Sequence, residues 1–276
     1  MNQLQDEPGP PAPLAIVTGG SGGIGFAIAS ALADRGYRLL IIGRSTDRLN
    51  VSLDRMNHQP SAPPHTAIAC DFCDADGLAI CIGKLDAMWA ADPIHVLVNC
   101  AGVGLYRPFL ETSADDFARL MQTNYFAAVT LIRAALPGML RARQGHIINI
   151  ASMSAKMGPW GHAAYSPTKA ALASLTQTLA AEHAGSGVHF SVVNPGIVRT
   201  AYFENSSFAS LWPRVKKYAI EPERVARAVV RLLDRPRVEV CVPRSHRLLD
   251  WITAIHPALT HRIVAQQSRP INDRTS

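Results

Sequence analysis

The segment Thr18-Gly19-Gly20-Ser21-Gly22-Gly23-Ile24-Gly25 constrains this chain more than any other. It joins a short apolar run, Leu14 to Thr18, to a helical pattern, Gly23 to Arg35, in which apolar residues recur three and four apart. Glycines at such a junction let the backbone turn tightly and let a ligand approach the main chain closely. A strand–turn–helix of this kind places the free N–H groups of a helix N-terminus where a pyrophosphate would sit. The position of the cluster, rather than its glycine content, therefore points to a dinucleotide.

The rest of the chain repeats the alternation. Further apolar runs at Arg38 to Gly43, Thr66 to Cys70, His95 to Asn99, Gly145 to Ala151, Val188 to Asn194 and Val238 to Val242 complete a set of seven expected strands. Between them lie amphipathic stretches such as Ser113 to Arg141 and Tyr165 to His183. Strands alternating with helices imply an α/β fold: a seven-stranded, mainly parallel sheet with helices on both faces. Residues 1–13, polar and Pro-rich, read as a disordered tail, residues 14–244 as one catalytic domain, and residues 245–276 as an amphipathic extension. The least regular interior stretch, Gly196 to Glu221, contains Tyr202, Phe203, Phe208 and Trp212 and is expected to form a substrate lid.

Composition limits the classes of function. With 48% hydrophobic and 17% charged residues, the chain has the makings of a packed core. The net charge is +6, but Lys and Arg are scattered among Asp and Glu, so no nucleic-acid partner is expected; the charge reads first as an aid to solubility and second as attraction for an anionic cofactor or substrate. Five cysteines, at 70, 73, 81, 100 and 241, do not read as a disulfide framework. The Cys70/Cys73 pair lacks the partners that a tetrahedral zinc site needs, so no metal is expected. Without an uninterrupted apolar stretch of about 18 residues or a signal sequence, no transmembrane helix is expected, and the location is read as cytoplasmic.

Two features carry chemistry. The second strand ends Gly43-Arg44-Ser45, where an acidic residue would favour unphosphorylated adenosine ribose. A glycine followed by a planar cation instead favours a 2′-phosphate, and hence NADP(H) over NAD(H). Tyr165 and Lys169, four apart at the start of an expected helix, share one face. An ammonium beside a phenol favours the phenolate, which suits proton transfer near neutral pH.

Taken together, these motifs resemble the short-chain dehydrogenase/reductase family over about Leu14 to Val242. The order matches: the glycine turn, Asp71 after the third strand, Asn99-Cys100-Ala101-Gly102, Asn124, Ser152, Tyr165 with Lys169, and Pro195-Gly196 with Thr200. The resemblance implies a doubly wound Rossmann fold in three α/β/α layers and hydride transfer between a nicotinamide and a carbonyl or secondary alcohol. By the same resemblance Tyr165 is the acid/base, Ser152 hydrogen-bonds the reacting oxygen, Lys169 binds the nicotinamide ribose, and Asn124 holds a water leading to Lys169.

For the cofactor, the resemblance implies contacts from Thr18, Gly19, Ser21, Gly23, Ile24 and Gly25 in the turn, and from Arg44, Ser45 and Asp71 on the adenosine side. It adds Asn99, Ala101 and Gly102 after the fourth strand, Tyr165 and Lys169 themselves, and Pro195, Gly196, Ile197 and Thr200 near the nicotinamide amide. The chain departs from the family at Cys100, where a second Asn is usual, and in lacking a basic residue inside the glycine turn.

Segments beyond the strands' carboxyl ends offer Val103, Leu105, Tyr106, Met153, Trp160, His162, Tyr202 and Phe203, a mostly apolar set that favours a small hydrophobic substrate. A 3-oxoacyl thioester met by Arg214, Lys216 and Lys217 is the alternative substrate. A non-catalytic NADP-binding regulator is the alternative class, although such a protein is expected to lose Tyr165 or Lys169. Homodimers or homotetramers are expected by analogy. The extension has three expected uses: packing on its own domain or a partner, covering the pocket, or peripheral contact with a membrane.

Overall fold

The computed structural model describes residues 12–56, 64–89 and 93–268; the expected N-terminal tail lies, up to residue 11, outside the described residues. The apolar runs form one parallel sheet from β1 (Leu14–Thr18), β2 (Arg38–Gly43), β3 (Thr66–Ala69), β4 (Ile94–Asn99), β5 (Gly145–Ile150), β6 (Val188–Pro195) and β7 (Glu239–Val242), ordered β3-β2-β1-β4-β5-β6-β7. Successive side chains leave a strand on opposite faces, so each run feeds two cores. On one face Ala15, Val17, Leu39 and Ile41 meet α1 (Gly23–Ala33), α2 (Thr46–Met56) and α8 (Pro222–Asp234). On the other, Leu14, Ile16, Leu40 and Ile42 meet α3 (Ala75–Trp89), α5 (Ala127–Ala142) and α6 (Tyr165–Glu182). Coverage on both faces explains why the strands read as continuous apolar runs rather than alternating ones.

β1 lies between β2 and β4, so the chain winds outward in both directions from the middle of the sheet. At that reversal the connections leave on opposite sides and a crevice opens beyond the carboxyl ends of β1 and β4. Thr18 closes the floor of the crevice. Its buried hydroxyl accepts hydrogen bonds from the amides of Cys100 and Ala101, both at 2.9 Å, tying the glycine turn to the loop after β4.

In two places the chain departs from the expected elements. The stretch Ser113 to Arg141 is not one continuous α-helix: α4 (Ala114–Met121) and α5 are joined by a wider π-helical turn, Gln122–Phe126. Such turns cluster at functional positions, and Asn124 sits inside this one. The C-terminal extension divides into α9 (His246–Ile255) and α10 (Pro257–Ser268). Pro257 has no N–H to donate and a fixed φ that suits a first helical position, so it ends one helix and starts the next. The expected lid is a series of short turns, Ala201–Glu204 and Ser206–Phe208, followed by α7 (Trp212–Val215). Its ends are drawn together where Arg199 N–H bonds Ile220 C=O and Ile220 N–H bonds Ile197 C=O, both at 2.9 Å.

Thr18→Val keeps the shape of the side chain but leaves the amides of Cys100 and Ala101 without an acceptor. The expected loss is about 3 kcal/mol of folding stability, read from urea denaturation with an unchanged slope.

Candidate active site

The glycine turn is held open by backbone geometry. Gly19 has φ +71° and donates to Ile42 C=O at 2.7 Å, which bends the chain off the end of β1. A Cβ on Gly25 would lie 2.2 Å from Gly19 O, so the first turn of α1 can press on the loop only without a side chain. No side chain caps α1 and no acidic residue occupies its first turn, leaving its N–H groups for an anion. The cradle therefore fits a dinucleotide pyrophosphate by its own geometry.

Around the cradle, Thr200 places its methyl group beside Gly23, and Gly196 is wedged against β7 and the His246 ring. Pro195 ends β6 in a buried position, and Ile197 continues from it. Arg44 is exposed just after β2. Ser45 accepts from Arg48 N–H at 3.3 Å and so leads into α2. Arg48 itself reaches the turn: its guanidinium lies 3.5 Å from Ser21 O and beside Gly22. Sequence reasoning missed this residue. A basic group absent from the turn in sequence reaches it from the first turn of α2, at a distance along the chain that no motif marks.

Other expected cofactor residues have structural work of their own. Asp71 accepts from Cys73 N–H at 3.0 Å in a turn after β3. Asn99 is buried and donates to Asn149 at 2.8 Å, which in turn donates to Thr176 at 2.8 Å, linking β4, β5 and α6 by a polar chain. Ala101 and Gly102 follow along the crevice; a Cβ on Gly102 would lie 3.2 Å from Asn124 Oδ1 and 3.3 Å from Lys169 Nζ.

The expected reacting residues converge at the carboxyl end of β5 and the start of α6. Asn124 accepts from Val103 N–H at 2.8 Å and donates to Val103 C=O at 2.9 Å and to Thr168 at 3.0 Å, so the π-helical turn clamps the loop after β4. Lys169 is buried, donates to Ile150 C=O at 2.9 Å, and lies 5.9 Å from the centre of the Tyr165 ring. Ser152 accepts from both the amide and the hydroxyl of Ser154, at 3.1 and 3.0 Å. With both lone pairs engaged, its own proton is directed outward as a donor. Ser154 is a positioning residue that sequence reasoning missed, because a serine two places on carries no periodic signal.

The electrostatics correct one expectation. Lys169 does not lower Tyr165: burial pushes the phenol up, while interactions with Tyr202 and Ser152 pull it partly back. Burial also drives Lys169 down to about 8, partly offset by Cys100, whose own thiol is pushed up to about 12 by burial. Both partners are desolvated together, so each favours its neutral form. Tyr202 packs 6.0 Å from Tyr165, ring centre to ring centre. Its buried hydroxyl has no aligned hydrogen-bond partner among the described residues, so the two phenols interact through space rather than through a formed bond.

The walls are apolar. Tyr106, Trp160, His162, Tyr202, Phe203 and Phe208 form a contiguous ring cluster, with Tyr106–Trp160 at 5.2 Å and Tyr202–Phe208 at 5.0 Å. Leu105 and Val103 form a second patch against Tyr165, and Met153 is buried nearby in sequence from Ser152. Burial holds His162 below its usual range, and its Nδ1 lies 3.1 Å from Trp160 O, so the imidazole is neutral near pH 7. Lys216 and Lys217 are exposed.

The model of the short chain dehydrogenase family matches residues 13–209, more than half of the chain. The chain belongs to the short-chain dehydrogenase family. An uncharacterised oxidoreductase of Staphylococcus saprophyticus is 32% identical to this dehydrogenase over 86% of the chain and 94% of its own length. Among solved structures, a short-chain dehydrogenase from Sphingobium yanoikuyae in complex with NADPH is 25% identical, with a TM-score of 0.77, covering 90% of this chain and 95% of that one. A metagenomic short-chain oxidoreductase in complex with NADP is 32% identical with a TM-score of 0.68, covering 83% and 96% respectively. The protein is thus an NAD(P)-dependent dehydrogenase or reductase with the Rossmann-type sheet of its family. No helix among the described residues is long and apolar enough to cross a membrane.

The depressed Lys169 gives a signed pH dependence. Unfolded, it titrates at its ordinary value of 10.5; folded, at about 8. Below pH 8 both states are protonated and burying the charge is a full penalty, which is relieved as pH rises from 8 to 10.5. The stability of wild type relative to Lys169→Met should therefore rise by about 3 kcal/mol across that window. Denaturant titrations of both proteins at a series of pH values would show a flat difference if Lys169 were solvated.

Proposed function

We propose that the protein is an NADP(H)-dependent oxidoreductase acting on a carbonyl or secondary alcohol of a small hydrophobic substrate, with Tyr165 as acid/base. The observation that carries this reading is the convergence of Tyr165, Ser152 and Lys169 beside an uncapped glycine cradle, under an aromatic wall. When bound, the nicotinamide supplies or accepts the hydride.

The chain's own residues do the rest. Gly19, Ser21, Gly23, Ile24 and Gly25 would hold the pyrophosphate, with Thr18 holding the turn itself. Ala101, Gly102 and Asn99 would border the adenosine side, and Asp71 its base. Pro195, Gly196, Ile197 and Thr200 would face the carboxamide. Ser152 donates its outward proton to the substrate oxygen and offsets its developing charge. Tyr165, kept protonated by burial near pH 7, donates to that oxygen during reduction. Lys169 binds the ribose hydroxyls, and Asn124 holds the loop and α6 in register beside it. Phosphorylated cofactor is favoured because Arg44 and Arg48 flank the place where β2 ends, with no carboxylate at that position to accept ribose hydroxyls.

Tyr165→Phe should lower carbonyl reduction about a thousandfold while NADPH binding is retained. The assay is oxidation of reduced nicotinamide against a series of ketones, with binding followed separately by fluorescence. Retained turnover in the variant would overturn the acid/base assignment. Arg44→Ala with Arg48→Ala should raise the KM for NADPH by about tenfold or more, and leave the KM for NADH nearly unchanged. Equal effects on both cofactors would remove the 2′-phosphate reading.

A further inference from the structure

Helix α9 turns its apolar stripe outward. Leu248, Trp251, Ile252 and Ile255 recur at helical spacing on one face, and that face is exposed, Trp251 by 58% and Ile255 by 70%. On α10, Leu259 and Ile263 are also exposed and four apart, giving the second helix an apolar edge of its own. The other side of α10 is the one engaged: Thr260 is buried, and Ser268 bonds Trp160 N–H at 2.9 Å and the Tyr106 hydroxyl at 2.6 Å. The extension is therefore anchored at the aromatic wall while its most apolar edge remains uncovered.

Beside this stripe lies a concentration of positive charge. A groove of about 670 Å³ runs along α8, β7 and the segment before α9, lined by Arg224, Arg231, Arg235, Arg237 and Arg244 over an apolar floor. An adjoining hollow shares Arg237 and Arg244, adds Arg247, and reaches Trp251. The Arg247 guanidinium sits 5.9 Å from the centre of the Trp251 ring, joining the two surfaces. The acids in these hollows are engaged elsewhere: Asp234 by Arg35, and Glu239 by Lys156 and Asn194. None of the six groove arginines forms an ion pair among the described residues.

We propose that this face docks on the surface of an anionic lipid bilayer, with the arginines meeting headgroup phosphates and the exposed apolar edges of α9 and α10 entering the interface. The charge disfavours the simplest competitor. A two-fold contact centred on the groove would bring like-charged arginine clusters together. A bilayer presents anionic phosphates and an apolar layer at adjacent depths, which matches arginines bordering a Trp/Leu/Ile stripe. The binding needs neither turnover nor any particular substrate, so it stands or falls apart from the catalytic reading.

The test is flotation of the full chain with vesicles of phosphatidylcholine alone or mixed with phosphatidylglycerol, at low and high salt. Wild type should float with the mixed vesicles at low salt and not with phosphatidylcholine alone. Trp251→Ser with Ile255→Ser, and separately Arg244→Glu with Arg247→Glu, should each cut the bound fraction at least about tenfold. NADPH binding and thermal melts confirm folding, and if the apolar pair fails to fold the arginine pair decides. Absence of wild-type binding, or undiminished binding by the folded variants, overturns the proposal. So does a fall in oligomer size for Trp251→Ser with Ile255→Ser on size-exclusion chromatography, because the stripe would then be a contact between copies.

Discussion

The hydroxyl of Thr18 is the joint on which the site depends. Its two accepted hydrogen bonds fix the glycine turn against the loop after β4 at the place where the sheet reverses its winding. The glycine turn lies on one side of that joint and the Cys100–Gly102 loop on the other. Because Thr18 is buried, its hydroxyl is committed to these two amides rather than to solvent.

From that joint two polar chains run inward. Asn99, Asn149 and Thr176 stitch β4 and β5 to α6, while Asn124 clamps Val103 from within the π-helical turn. Both place hydrogen-bonded amides behind Tyr165 and Lys169. The desolvation that pushes the phenol up and the ammonium down follows from the same close packing. Preorganisation and perturbed ionisation here have one source, the close packing around the Tyr165 and Lys169 side chains.

Much of this was legible in the chain itself. Strands covered on both faces leave uninterrupted apolar runs, so all seven could be placed to within a residue or two. The glycine turn and the Tyr165/Lys169 spacing are local, and their order along the chain carries the family resemblance. Arg48 and Ser154 were not legible, because one reaches its target across a helix start and the other acts on a neighbour two residues away. The direction of the Tyr165 shift was also misread: proximity of a cation could be inferred from spacing, but the burial that outweighs it could not.

The sequence by itself determined the alternation of strands and helices and the glycine turn between β1 and α1, and it pointed to the side chains proposed here to react. These depend on periodicity and on backbone freedom at single residues, both of which are local. Tertiary structure alone decided which charges act together. Arginines between 224 and 247 that look dispersed among acids along the chain are gathered into one groove, because α8, β7 and α9 fold against each other while Asp234 and Glu239 are drawn to other partners. Electrostatic and apolar surfaces are sums over space, and only the fold sets the distances in the sum.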